Sequence, residues 1–188
     1  MKRVFIAIKI DPDKNCRKFI STLRSELADE SIKWTSEENL HVTLSFLGNV
    51  EENTIPGLKN MLTTISSDYR EFELIITGLG VFKSLNDPKI IQAGIYHSET
   101  LNALQLRIEQ ALVEEGFETD KKQFVPHLTL GRVKLMKNVR KLKTLLLKCH
   151  SYEIQKIIIR NVILFESVLT QKGPVYTPLS KHDLMHLL

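Results

Sequence analysis

The sequence predicts an α+β protein built as two similar lobes. Each lobe is a mainly antiparallel sheet with outer helices, and a pseudo-two-fold axis relates the two across an active-site cleft. Three observations lead there. Period-2 apolar runs alternate with runs of helical period along the chain. The order strand, helix, strand, helix, strand occurs twice. Short pieces recur at matching places: His41-Val42-Thr43-Leu44 with His127-Leu128-Thr129-Leu130, and Phe72-Glu73-Leu74 with Tyr152-Glu153-Ile154. Strand–helix alternation also fits a parallel sheet, which is the alternative.

Residues 3–10, rich in Val, Ile and Phe, read as the first strand. Residues 11–30 read as a helix: Asp11 can cap it, Pro12 suits its first turn, and Phe19, Leu23 and Leu27 form one apolar stripe. Residues 40–47 alternate as a strand. Residues 51–66 read as a helix with Ile55, Leu58 and Leu62 inward, although Gly57 weakens it. Residues 72–82 return as a strand. The second half opens with a strand at 89–96. A helix follows at 99–115, with Leu101, Leu104, Ile108 and Leu112 on one face and Gly116 at its stop. Next come a strand at 127–133, a basic helix at 138–148, a long strand or strand pair at 151–169, and a last strand at 177–184.

The 188 residues suffice for one compact bilobal domain spanning 1–188, and no Pro/Gly/Ser-rich linker divides them. Hydrophobic content of 43% and charged content of 26% exclude the disordered class. A net charge of +4 suits a polyanionic partner without requiring one. Two cysteines, Cys16 and Cys149, are too few for a disulfide framework and lack metal-type spacing. The opening MKRVFIAIKI is too short and too charged for a signal peptide or membrane anchor. A cytoplasmic monomer with no membrane association is expected.

Alternate residues of a strand share a face. In the first motif His41, Thr43 and Ser45 fall on one face, and Leu40, Val42, Leu44 and Phe46 on the other. In the second, His127 and Thr129 oppose Leu128 and Leu130, and Pro126, which cannot donate to a ladder, belongs at the strand start or on an edge. The apolar faces must go to a core, so both His/Thr pairs can look into one cleft. Phosphodiester hydrolysis needs one group to take a proton from water and another to protonate the leaving oxygen. Histidine, with a reference pKa of about 6.5, can do either near neutral pH. A threonine hydroxyl beside each can donate to a phosphoryl oxygen and offset developing charge. One His-x-Thr alone ordinarily marks a half-exposed polar face; two at matching places in a duplicated chain point to function.

These residues resemble the two-histidine phosphoesterase superfamily and, within it, the RNA 2′,3′-cyclic phosphodiesterases of the 2′-5′ RNA ligase family. The likeness runs nearly end to end. It is carried by Arg3-Val4-Phe5-Ile6-Ala7-Ile8, by Trp34 and Glu38-Asn39-Leu40-His41-Val42-Thr43-Leu44-Ser45-Phe46-Leu47-Gly48, and by Gly78-Leu79-Gly80-Val81-Phe82. Phe124-Val125-Pro126-His127-Leu128-Thr129-Leu130-Gly131-Arg132, Leu164-Phe165-Glu166-Ser167 and Gly173-Pro174-Val175-Tyr176 complete it. The resemblance implies a bilobal fold and hydrolysis of RNA 2′,3′-cyclic phosphate ends, or of cyclic nucleotides, to 2′-phosphomonoesters with no metal or cofactor. It implies His41 as proton donor, His127 as proton acceptor, Thr43 and Thr129 as phosphate ligands, and Arg132 as an added positive charge. Arg132 lies an odd number of residues from His127, so a strand end or a bulge at Gly131 is needed to turn it into the cleft. Phe5 is a nucleotide-contact candidate, though strand aromatics are more often core. Where the family often has Trp before a Gly in its middle strand, this chain has Gln92-Ala93-Gly94.

His182 and His186 have helical i, i+4 spacing but no third ligand, and read as a surface pair. His97 and His150 read as isolated surface or boundary residues. The basic run Lys137, Arg140, Lys141, Lys143 and Lys148 reads as a solvated helix face, with RNA-phosphate contact as its alternative. No Walker-type loop or adenylylation-type lysine motif supports ATP-driven ligation. An RNA-end binding module with little turnover, and reversible 2′-5′ joining at the same site, are the rival functions.

Overall fold

The computed structural model describes residues 1–119, 123–171 and 173–186. Its elements run β1 (Lys2–Lys9), α1 (Lys14–Glu26), β2 (Ser31–Trp34), β3 (His41–Val50), α2 (Ile55–Ser66), β4 (Phe72–Lys83), β5 (Pro88–Ile95), α3 (Glu99–Glu114), β6 (His127–Leu135), α4 (Val139–Lys148), β7 (Glu153–Ile159), β8 (Asn161–Thr170) and β9 (Gly173–Asp183). The α+β class is as expected, and every strand pair is antiparallel, so the parallel alternative falls.

The two expected sheets are continuous. One nine-stranded sheet runs β7-β4-β5-β6-β3-β1-β8-β9, with β2 added to β6. Its halves, β7-β4-β5-β6 and β3-β1-β8-β9, join through β3 and β6, whose register holds one pair, Val42 with Leu128, and an isolated bridge of Arg70 with Met185 links them outside the strands. Both residues are fully buried. Helices α1 and α4 pack on the first half, against β7 and β4; α2 and α3 pack on the second, against β8, β9 and β3. The His-x-Thr strands are therefore counterparts across the junction. The Phe72 and Tyr152 pieces are not, because β4 and β7 are neighbours within one half.

Local chemistry sets the element ends. Asp13, not Asp11, caps α1: its Oδ1 accepts from the Cys16 N–H at 2.8 Å, three residues in, where an N-cap side chain reaches. Ser98 caps α3 and Asn138 caps α4 in the same way. Gly116 ends the α3 segment in the left-handed region, at φ 83°. The apolar stripes point inward as expected, and Leu23, Leu27, Leu58, Leu62, Leu104, Ile108 and Leu142 are all buried in one core beneath the helices. Strand β1 is buried on both faces. Val4, Ile6 and Ile8 enter that core, while Phe5 and Ala7 join Ile163, Phe165 and Tyr176 in a small apolar cluster on the opposite face. Burial of each large aliphatic side chain is worth about 1.5–3 kcal/mol, which makes β1 the firm support on which β3 is laid.

His182 is corrected from surface to interior: it sits in β9, buried, with Nδ1 2.9 Å from Thr63 Oγ1 and Nε2 2.8 Å from Ser180 Oγ. A strand does not bring residues four apart together as a helix does, so the His182/His186 pair dissolves. The basic run lies on α4, apart from Lys137, which precedes the helix, and Leu142 and Leu145 turn inward. Among the described residues, no helix is long and apolar enough to cross a membrane.

Candidate active site

The junction of β3 and β6 creates the site. Antiparallel pairing at Val42–Leu128 sets His41 opposite Thr129 and Thr43 opposite His127. With Val42 and Leu128 turned into the core, the four polar side chains face away from it, as the alternation predicts. In a regular antiparallel pair, diagonal neighbours lie roughly 7–8 Å apart, a gap that a phosphate group fills. Repulsion from His127 and Arg132 contributes to the lowered pKa of His41, so the three groups share one field.

Matching bulges decide what else faces the cleft. Against β1, the β3 register passes from Ser45 to Thr43, which leaves Leu44 as the extra residue. Against β5, the β6 register passes from Gly131 to Thr129, which leaves Leu130 as the extra residue. After each bulge the alternation is inverted. Ser45, expected beside His41, is instead buried on the core side, and Phe46, expected in the core, is 64% exposed and 5.7 Å from the Phe5 ring. On β6 the same device returns Arg132 to the face of His127. Gly131 accommodates the turn: a Cβ there would come within 2.8 Å of the Ile32 side chain and 3.2 Å of Trp34.

Each histidine is oriented by a carbonyl two residues upstream. His41 Nδ1 lies 2.6 Å from Asn39 O, and His127 Nδ1 lies 2.8 Å from Val125 O. A carbonyl can only accept, so Nδ1 carries a proton in both rings and Nε2 is the atom left for chemistry. Aromatic rings hold the other edges. Phe5 and Tyr176 pack on His41 at 5.1 and 5.2 Å, and Phe82 meets His127 edge-on at 4.5 Å. Phe5, the sequence candidate for nucleotide contact, is thus core and site at once: buried, and in contact with His41 over the small Ala7.

Burial pushes the His41 pKa down, its carbonyl bond pulls it up, and repulsion from His127 and Arg132 pushes it further down. Burial raises the Tyr176 phenol, against the pull of Arg132 and Arg3, so this hydroxyl stays protonated near neutrality. Thr43 and Thr129 make no side-chain hydrogen bond among the described residues, and their hydroxyls remain available as donors. Gln92 is the register partner of Thr129, and its amide lies over Gly80, where a Cβ would be 2.4 Å from Nε2. Among the described residues, no group of three or more His, Cys, Asp or Glu is placed to hold a metal.

The His41 shift has a kinetic sign. A lowered pKa moves the limb of a bell-shaped kcat/KM profile that reports His41 to lower pH. Arg132→Gln relieves part of the repulsion and moves that limb to higher pH. Initial rates across pH for the two proteins check this, and an unmoved limb counts against the shared field.

The sequence motifs name both histidines, both threonines and Arg132, and the structure brings all five to one face. They do not name Tyr176, Phe82 or Phe46 as site residues, nor the carbonyls of Asn39 and Val125. Backbone acceptors leave no trace in residue type. The bulge that exposes Phe46 could have been foreseen by aligning it with Arg132, each being five residues beyond its histidine.

The model of the LigT-like phosphoesterase family matches residues 8–91 and 96–176. The RNA 2′,3′-cyclic phosphodiesterase of Methanothermobacter thermautotrophicus is 34% identical over 177 residues, covering 93% of this chain and 95% of its own. That of Archaeoglobus fulgidus is 32% identical over 178 residues, covering 94% and 97%. Among solved structures, E. coli LigT complexed with 3′-AMP superposes with a TM-score of 0.75 at 22% identity, over 97% of this chain and 98% of that one, and so shares the fold.

Proposed function

The chain belongs to the LigT-like phosphoesterase family, and from that membership we propose that it hydrolyses 2′,3′-cyclic phosphates at RNA ends to 2′-phosphomonoesters, without a metal, acting as one bilobal domain over 1–188. The observation that carries the proposal is the symmetric pair of histidines, each with Nδ1 committed to a carbonyl and Nε2 free, set diagonally across one strand junction.

In this reading the cyclic phosphate lies between the two rings. The Thr43 and Thr129 hydroxyls donate to its non-bridging oxygens, and Arg132 adds positive charge beside them. His127 Nε2 takes a proton from water, which attacks phosphorus in line with the 3′-oxygen. His41 Nε2 gives its proton to that oxygen as the P–O bond breaks. Burial lowers the His41 pKa, and an anionic phosphate beside the ring opposes that shift and favours the protonated donor. The proton gained by His127 and the proton lost by His41 are then exchanged with solvent, which resets the site.

His, Thr and Arg supply every role, so turnover of an RNA ending in 2′,3′-cyclic phosphate is expected to continue in EDTA at an unchanged rate. Loss of activity in chelator, restored by one divalent ion, would contradict the metal-independent mechanism.

A further inference from the structure

Beyond the Val42–Leu128 junction, β2 takes over the edge of β6. Its register pairs Lys33 with Arg132 and Trp34 with Gly131. Paired residues share a face, so Lys33 stands beside Arg132 on the cleft side, while Ile32 and Trp34 pack against the core. The Lys33 ammonium ends against Gly173 at the start of β9, where a Cβ would lie 3.0 Å from Nζ. The same β9 segment is tied to the turn before β3, because Asn39 Nδ2 donates to Pro174 O at 3.0 Å. Lys33 therefore occupies a rim where the two halves of the sheet approach each other. Like charges directly opposite on paired strands repel, and among the described residues Lys33 has no carboxylate partner. An anion lodged between Lys33 and Arg132 turns that repulsion into binding.

We propose that Lys33, with Arg132, holds the phosphodiester on the 5′ side of the terminal nucleotide, so that the substrate class is an RNA chain rather than a cyclic mononucleotide. The inference rests on the function proposed above. The reacting phosphate is already surrounded by His41, Thr43, His127 and Thr129, with Arg132 at its outer edge, where one guanidinium faces both phosphates. Arg132 is the next cleft-facing residue after Thr129, about 7 Å along the strand, and Lys33 lies a further strand spacing of about 5 Å to the side. A second phosphate one nucleotide away reaches this pair while the first remains between the histidines.

The test measures kcat/KM on a 2′,3′-cyclic mononucleotide and on a tetranucleotide ending in the same cyclic nucleotide, across a salt series, for the native protein, Lys33→Met and Lys33→Arg. The native protein prefers the tetranucleotide. Lys33→Met loses roughly fivefold on the tetranucleotide through KM and nothing on the mononucleotide. It also lowers the slope of log kcat/KM against log salt by about 0.7, one single-strand phosphate contact, and Lys33→Arg retains both properties. A native protein without the preference, an equal loss on both substrates, or no loss at all overturns the subsite. Failure of the native protein to turn over either substrate overturns the underlying function instead.

Discussion

Replacing His127 by alanine is expected to lower kcat on cyclic-phosphate RNA by about 10²–10⁴-fold, and His41→Ala by the same order, the usual scale of a general acid or base. Steady-state kinetics on the purified variants measures this. The loss is large because, among the described residues, no group near His127 other than His41 has the acid–base range of an imidazole. The Tyr176 phenol, which packs on His41, is pushed up by burial and cannot act as a base near neutral pH. The other neighbours are apolar rings, hydroxyls and Arg132. In the proposed mechanism the two histidines act in one transition state, so the double variant is expected to cost little more than either single one. A single variant with a near-native rate would remove that histidine from the mechanism.

Thr43→Val and Thr129→Val are each expected to cost about 10²–10³-fold in kcat, the scale of one donor lost from a preorganised anion site. Valine keeps the shape and β-branching of threonine, so the strand is preserved and only the hydroxyl disappears. Both side chains are partly exposed on the cleft face rather than packed in the core. Unfolding midpoints close to native, with kcat reduced, place the loss in the chemistry; a reduction confined to KM would assign the threonines to ground-state binding alone.

Much of this site is legible in the sequence because it rests on period-2 alternation. Leu40, Val42, Leu128 and Leu130 must enter a core, and that requirement alone turns His41, Thr43, His127 and Thr129 the other way. Alternation fails where an extra residue enters the ladder. Ser45 and Phe46 exchange faces at the Leu44 bulge, and Arg132 reaches the cleft only through the matching bulge at Leu130. Strand β2 is absent from the sequence reading because its four residues carry too little pattern; its place is set by β6, whose edge it completes. Tyr176 is remote from His41 along the chain, and only the curl of the sheet brings them together. The helices are legible from their stripes, but the Asp13 cap was hidden beside Asp11, an equally suitable residue two positions earlier.

Regiochemistry of ring opening tests the central claim most directly, because in the proposed mechanism the oxygen that leaves is the one His41 protonates. Phosphorus NMR of the product from an RNA dinucleotide ending in 2′,3′-cyclic phosphate, incubated in EDTA, reads it in one spectrum. With His41 as donor to the 3′-oxygen and His127 as base, the product is a 2′-phosphomonoester. A dominant 3′-phosphomonoester would mean that the substrate lies in the opposite sense and would contradict the assigned roles of the two histidines.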